Sequence, residues 1–139
     1  MLMLVLMTAA ACSSDPGGQP PLAPLFELSL TPETPVPGQD VTVVLANLSG
    51  SAVGYNLCTS TLVRDEGGQL VEQPSDRVCT MELRSLQPGE RDGFTLVMPE
   101  TLPRGIYRFR TRLVHGEGED GPASVDSHLF LVSAPASNP

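Results

Sequence analysis

Two histidines and a knot of carboxylates are the residues of this chain whose types could do chemistry. His115, Glu117, Glu119, Asp120 and His128 lie in one short span. Imidazole together with carboxylate suits a divalent metal ion, and Met81 and Met98 could add soft thioether ligands. The plainer reading of the same span is an acidic, solvated loop that keeps the domain soluble. Gly116-Glu117-Gly118-Glu119-Asp120-Gly121 matches GxGxxG by letter. It joins two apolar runs rather than opening a helix, and its carboxylates would repel a pyrophosphate. His115-Gly116-Glu117 imitates the HxE of zinc deaminases, but no PCxxC follows it. No GxSxG elbow marks a serine as an activated partner for either histidine. The expectation is a protein that is not an enzyme and takes no cofactor.

A second constellation is basic. From Ile106 to Val114 the residues alternate: Tyr107, Phe109, Thr111 and Leu113 fall on one face, and Arg108, Arg110 and Arg112 on the other. Period-two alternation marks a half-buried strand. Its arginine face is a candidate surface for an anionic envelope polymer or an acidic partner. The competing reading is cross-strand pairing with carboxylates on neighbouring strands. The chain has a formal net charge of -8 and takes its basic groups from arginine alone, which argues against a nucleic-acid partner. Aromatics make up 4% of the residues and tryptophan is absent, so a broad stacking platform for sugars or bases is not available.

The third constellation is the three cysteines. Met1 to Met7 form an apolar run, followed by Thr8 and three alanines and then Cys12, the order of a secretory core and cleavage site. The run is too short to remain as a membrane span. Ala9-Ala10-Ala11-Cys12 resembles the lipobox of bacterial lipoproteins, in which the cysteine becomes the new N-terminus and carries acyl chains. The resemblance implies export and attachment to a membrane through lipid on Cys12. That membrane is the outer one in a diderm, because Ser13 is not the aspartate of inner-membrane retention; otherwise it is the outer face of the cytoplasmic membrane. With Cys12 so used, Cys58 and Cys79 remain as an even pair in an oxidising compartment, where a disulfide is the default. Closing their loop would contribute about 3 kcal/mol in the chain-entropy model.

The elements that must position these groups are short strands. At 139 residues the chain holds one ordinary domain. The divisions expected are a leader over 1–11, a lipid-bearing cysteine and Gly/Pro-rich tether over 12–24, a β domain over 25–134, and a disordered tail over 135–139. Candidate strands are Leu25–Leu30, Asp40–Asn47, Val53–Arg64, Gln69–Glu72, Arg77–Leu86, Gly93–Met98, Ile106–Val114 and His128–Val132. The segments between them are rich in Pro, Gly, Asp or Ser, and no stretch holds a helical period. In the second strand Val41, Val43 and Leu45 make one wholly apolar face, which suits a central position.

Seven or eight such strands are what an all-β, Ig-like antiparallel sandwich needs. The run DVTVVLANLSGSAVGYNLC, a GG turn, a second cysteine, LQPGE and LPRGIYRFR resemble the Ig-like domains of bacterial envelope lipoproteins. Pro103, Gly105, Tyr107, Arg108 and Arg110 match that group's PxGxYRxR. The resemblance implies a tyrosine corner, with Tyr107 bonding back to upstream backbone. It also implies a non-catalytic module for binding, adhesion or scaffolding, with an unidentified protein or envelope polymer as partner. Two alternatives stay open. One is a proteinase inhibitor presenting a loop, Thr31–Gln39 or Gly116–Ser127, and the other is an envelope metal-binding protein.

Overall fold

The computed structural model describes residues 22–133. The expected leader, Cys12, most of the expected tether and the expected tail lie outside the described residues. Ten strands follow in chain order: β1 (Phe26–Thr31), β2 (Asp40–Asn47), β3 (Val53–Tyr55), β4 (Thr61–Glu66), β5 (Gln69–Glu72), β6 (Arg84–Leu86), β7 (Arg91–Val97), β8 (Gly105–Val114), β9 (Ser124–Asp126) and β10 (Phe130–Val132). They form an antiparallel, Ig-like sandwich. A three-stranded sheet, β1-β2-β7, faces a seven-stranded sheet built around β8. β3 and β4 lie end to end along one edge of β8, with β6 and β5 outside them. β9 and β10 lie end to end along its other edge.

The core comes from alternate positions, as a pleated strand with one covered face requires. Phe26, Leu28 and Leu30 of β1 and Val41, Val43 and Leu45 of β2 meet Tyr107, Phe109 and Leu113 of β8 and Phe130 and Val132 of β10, all buried. β8 buries its apolar face as the alternation requires, and Arg108, Arg110 and Arg112 are on the opposite, outer face. Tyr107 forms the corner: its hydroxyl donates to Pro103 O at 2.6 Å.

The single strand expected over Val53–Arg64 is broken. Asn56 Oδ1 accepts from Cys58 N at 3.1 Å and caps one 3-10 turn, Leu57–Thr59, a local side-chain bond that competes with ladder pairing. The break has a packing consequence. Tyr55 pairs with Leu113 and Thr61 with Arg110, so Asn56 to Ser60 stand opposite only Thr111 and Arg112, and the turn takes up the excess. It also brings Ser60 Oγ within 2.7 Å of Thr111 Oγ1, so both buried hydroxyls are satisfied. The strand expected over Arg77–Leu86 shrinks to β6. Conversely β9 forms inside a segment expected to be loop, because its three residues find the free edge of β8 at Arg110 to Arg112.

The two long sides of the sandwich differ. On one, Leu28 of β1 bridges to Ser127 just after β9 and ties the two sheets together. On the other, β7 and β5 are edge strands that do not pair with each other, and an irregular strap, residues 73–83, runs along the gap.

Candidate functional site

On the closed side the arginine stripe is largely consumed. Asp126 sits opposite Arg110 in the β8–β9 register. Arg110 Nε donates to its Oδ1 at 2.6 Å and Arg110 Nη2 to its Oδ2 at 2.8 Å, a two-point contact of the strong kind. Arg108 Nη1 donates to the same carboxylate at 3.2 Å. The Arg110 hydrogen bonds, with the charges of both arginines behind them, hold the Asp126 carboxyl below its ordinary pKa against the opposing effect of burial. Arg112 is exposed and has no ion pair among the described residues. Of the three candidate arginines, Arg108 and Arg110 make the cross-strand pairing that was the competing reading, and Arg112 is free to face a partner.

The acidic span does not assemble as a metal site. His115 Nε2 donates to Pro122 O at 2.7 Å, and His128 Nε2 donates to Glu33 O at 2.6 Å. A carbonyl can only accept, so each ring nitrogen is the protonated one and is committed to backbone. Among the described residues no group of three or more His, Cys, Asp or Glu side chains is placed to hold a metal. Met98 is buried in the core, whereas Met81 is exposed on the opposite, open side of the sandwich. The GxGxxG letters find a packing explanation instead. A Cβ on Gly121 would collide with the His115 ring where the imidazole reaches Pro122 O, so glycine suits this position.

The two loops considered for an inhibitor are also tied down. Gly38 N donates to Met98 O and Pro99 O, both at 3.2 Å, and His128 fastens Glu33. Ser124–Asp126, within the second loop, is the strand β9.

The open side holds what the sequence did not reveal. Between Gln73 and Leu83 the chain runs without a turn or a bend, yet it is anchored from beneath at close intervals. Arg77 donates from Nε to Cys58 O at 2.8 Å and from Nη2 to Ser60 O, and burial lowers the pKa of its guanidinium. Cys79 is joined to Cys58 by the expected disulfide. Asn56 Nδ2 donates to Thr80 O at 2.7 Å. At the far end Arg84 pairs with Tyr55 in the sheet and donates to Asp92 Oδ2 at 2.8 Å. The Tyr55 hydroxyl donates to the same oxygen. Burial, the hydrogen bond to Asp92 and the Asp92 charge together push the Tyr55 pKa to about 12.

Above these anchors the strap presents apolar side chains to solvent: Val78 is 94% and Met81 93% exposed. A neighbouring cleft of about 690 Å³, floored by Leu62, Leu96, Met98 and Phe109, opens between the strap and β7. Phe94 of β7 points toward this gap and stays 39% exposed, although its register partner Val43 is fully buried. Singly exposed apolar residues are ordinary, and what sets Val78 apart is that it lines this cleft on a segment held by side-chain bonds. The signal available in the sequence was Asn56-Leu57-Cys58 and Arg77-Val78-Cys79. It shows a crosslink, but nothing in it says that the crosslinked segment leaves the sheet.

No family model matches the chain, and no curated protein matches it. Among solved structures, an ApaA-assigned protein from Bordetella pertussis is 23% identical over 81% of this chain and 92% of its own, with a TM-score of 0.44. An ASH/PapD-like domain of human CEP192 is 14% identical over 95% of this chain and 99% of its own, with a TM-score of 0.42.

Proposed function

We propose that this protein is a non-catalytic binding module, tethered at the cell envelope through lipid on Cys12, and that it engages a protein partner with the strap 73–83 and the cleft beside it. One observation carries the contact surface: Val78 and Met81 are more than nine-tenths exposed on a segment pinned by Arg77, Cys79 and Asn56. Pre-ordering reduces the conformational entropy lost on binding, so a pinned apolar strap is a better contact surface than a free one. The anchor rests on the lipobox-like Ala9-Ala10-Ala11-Cys12. Two acyl chains or more make such attachment stable, where one is marginal.

The surface is tested by placing a photoreactive amino acid at Val78 of the full chain in its host. A defined covalent adduct with one envelope protein is expected, and a clean absence of adducts would remove the strap as the contact surface. The anchor is tested separately by labelling with an alkyne fatty acid. Label on the native chain and none on Cys12→Ser is expected, and equal label on both would overturn the assignment.

A further inference from the structure

A strand edge is a row of unpaired backbone donors and acceptors, and folded proteins shorten it, charge it or cover it. Most edges of this sandwich are managed in that way. β5 has four residues and β6, β9 and β10 have three each, and β1 is bridged to Ser127 through Leu28. β7 is the exception, with seven residues, Arg91–Val97, and neither proline nor lysine among them. Its pairing with β2 is framed by Asn47 N, which donates to Glu90 O, and Met98 N, which donates to Gln39 O. The even-numbered residues therefore turn their backbone groups toward β2, and Arg91, Gly93, Thr95 and Val97 turn theirs outward. Among the described residues those outward groups have one partner, Asp92 Oδ1, which accepts from Gly93 N at 3.0 Å.

We propose that a second copy of this chain pairs with β7, antiparallel, about a two-fold axis at Phe94. Only the register centred on Phe94 pairs all seven residues of the strand with their counterparts. In it the outward-turned residues meet one another, Arg91 with Val97 and Gly93 with Thr95, and each pair exchanges both of its hydrogen bonds. Gly93 N–H leaves the carboxylate of Asp92 for Thr95 O of the second copy. Phe94 falls opposite Phe94 in a pair without hydrogen bonds, the kind whose side chains lie closest and where aromatic rings stabilise each other. That covers a ring left 39% exposed although its partner in β2, Val43, is fully buried.

Charge selects a second copy rather than an unrelated strand. The edge begins with a cation, Arg91, which is exposed and has no ion pair among the described residues. It ends beside carboxylates, because Val97 pairs with exposed Asp40 and is soon followed by Glu100. Antiparallel self-pairing brings those opposite ends together. One row on the outer face then runs from Asp40 through Val97, 64% exposed, to Arg91 of the second copy. The apolar stem of that arginine covers Val97 while its guanidinium points toward Asp40. A two-fold axis makes the contact twice. The inference goes beyond the strap, whose anchors Asn56, Cys58 and Ser60 belong to the seven-stranded side.

The register is tested with single cysteines in the full chain in its host. Phe94→Cys is expected to give a disulfide-linked dimer on a non-reducing gel. Arg91→Cys alone is not, whereas Arg91→Cys and Val97→Cys made together are. Sedimentation of the full chain in detergent should show a reversible dimer. Thr95→Pro removes an outward N–H and leaves the pairing with β2 in place, so it should abolish the dimer. Val97→Lys keeps the fold, since the new cation stands beside Asp40 of its own copy. It also faces Arg91 of the other copy, and should raise the dissociation constant roughly tenfold because the repulsion occurs twice. Adding Arg91→Glu should restore the dimer. A chain that is monomeric at every concentration, a dimer indifferent to both Thr95→Pro and Val97→Lys, or a Phe94→Cys link to a different protein in place of a second copy overturns the proposal. The Val78 photo-adduct bears on the strap alone, so the two readings fail separately.

Discussion

The two sides of this sandwich solve the problem of a sheet edge in opposite ways. On the closed side β9 supplies Asp126, whose carboxylate gathers Arg110 and Arg108, and Leu28 bridges to Ser127. Charges there are turned toward one another and little is left for a partner. On the open side β7 and β5 keep free edges, and the gap is spanned by a strap held by a disulfide, a guanidinium and one amide. Its anchoring groups face inward and its apolar groups outward, the reverse of a core strand. The lesson is that the most conspicuous charges in a sequence can be structural, while the surface available for contact is defined by which backbone is pinned without being covered.

The largest expected effect is on the open side. Replacing Cys58 and Cys79 by serine frees a loop with a sequence separation of 21 and should cost about 3 kcal/mol in denaturant unfolding. It should also turn the strap into the first site of limited proteolysis. If cleavage still began elsewhere, the strap would not owe its order to the crosslink.

Next comes the closed side. Asp126→Asn leaves two arginines without their carboxylate and should cost about 2 kcal/mol at neutral pH. The sign with pH follows from the depressed pKa of Asp126, whose ordinary value is 3.8. The stabilisation is present above that value and is lost as pH falls through the lower folded-state pKa. The gap between native and variant stabilities should therefore close in strong acid, and a gap independent of pH would contradict the assignment.

Smaller effects come from the tyrosines, Tyr107 near the start of β8 and Tyr55 of β3 beside its far end. Tyr107→Phe removes the bond to Pro103 O and should cost about 1 kcal/mol. Tyr55 is pushed to about 12, and the Tyr107 pKa is raised chiefly by burial. A raised pKa means stability intact below the ordinary tyrosine value near 10 and declining from there toward about 12. Ultraviolet titration of the native protein should show neither tyrosine ionising at its ordinary pH, and normal ionisation of either would break that side of the comparison. The smallest effect is Arg112→Gln, which should change stability by no more than about 0.5 kcal/mol, since that arginine has no ion pair among the described residues.

How far the sequence was legible follows the same division. β8 could be read from its alternation because both of its faces are regular, and the Tyr107 corner followed from a resemblance carried by Pro103, Gly105 and Tyr107. The disulfide followed from counting cysteines once Cys12 was set aside. That the arginines pair across strands was legible from the stripe itself, but the identity of their carboxylate was not, because Asp126 lies in a segment whose Gly, Pro and Ser residues masked a three-residue strand. Nor was the strap: Arg77 to Leu83 has strand-like composition, and the side-chain bonds of Asn56 and Arg77 that hold it beside the sheet carry no periodic signature. The glycine motif misleads for a related reason, since Gly121 answers to the His115 ring and not to a ligand.

The central claim is that the strap is ordered before any partner meets it, and backbone ¹⁵N relaxation on the unbound protein tests it most directly. Order parameters for Val78 to Glu82 near those of rigid backbone, about 0.85, are expected, with the acidic loop Glu117 to Asp120 clearly lower. Values below about 0.6 across the strap would contradict the account, because a strap that moves freely on that timescale is not held by its anchors.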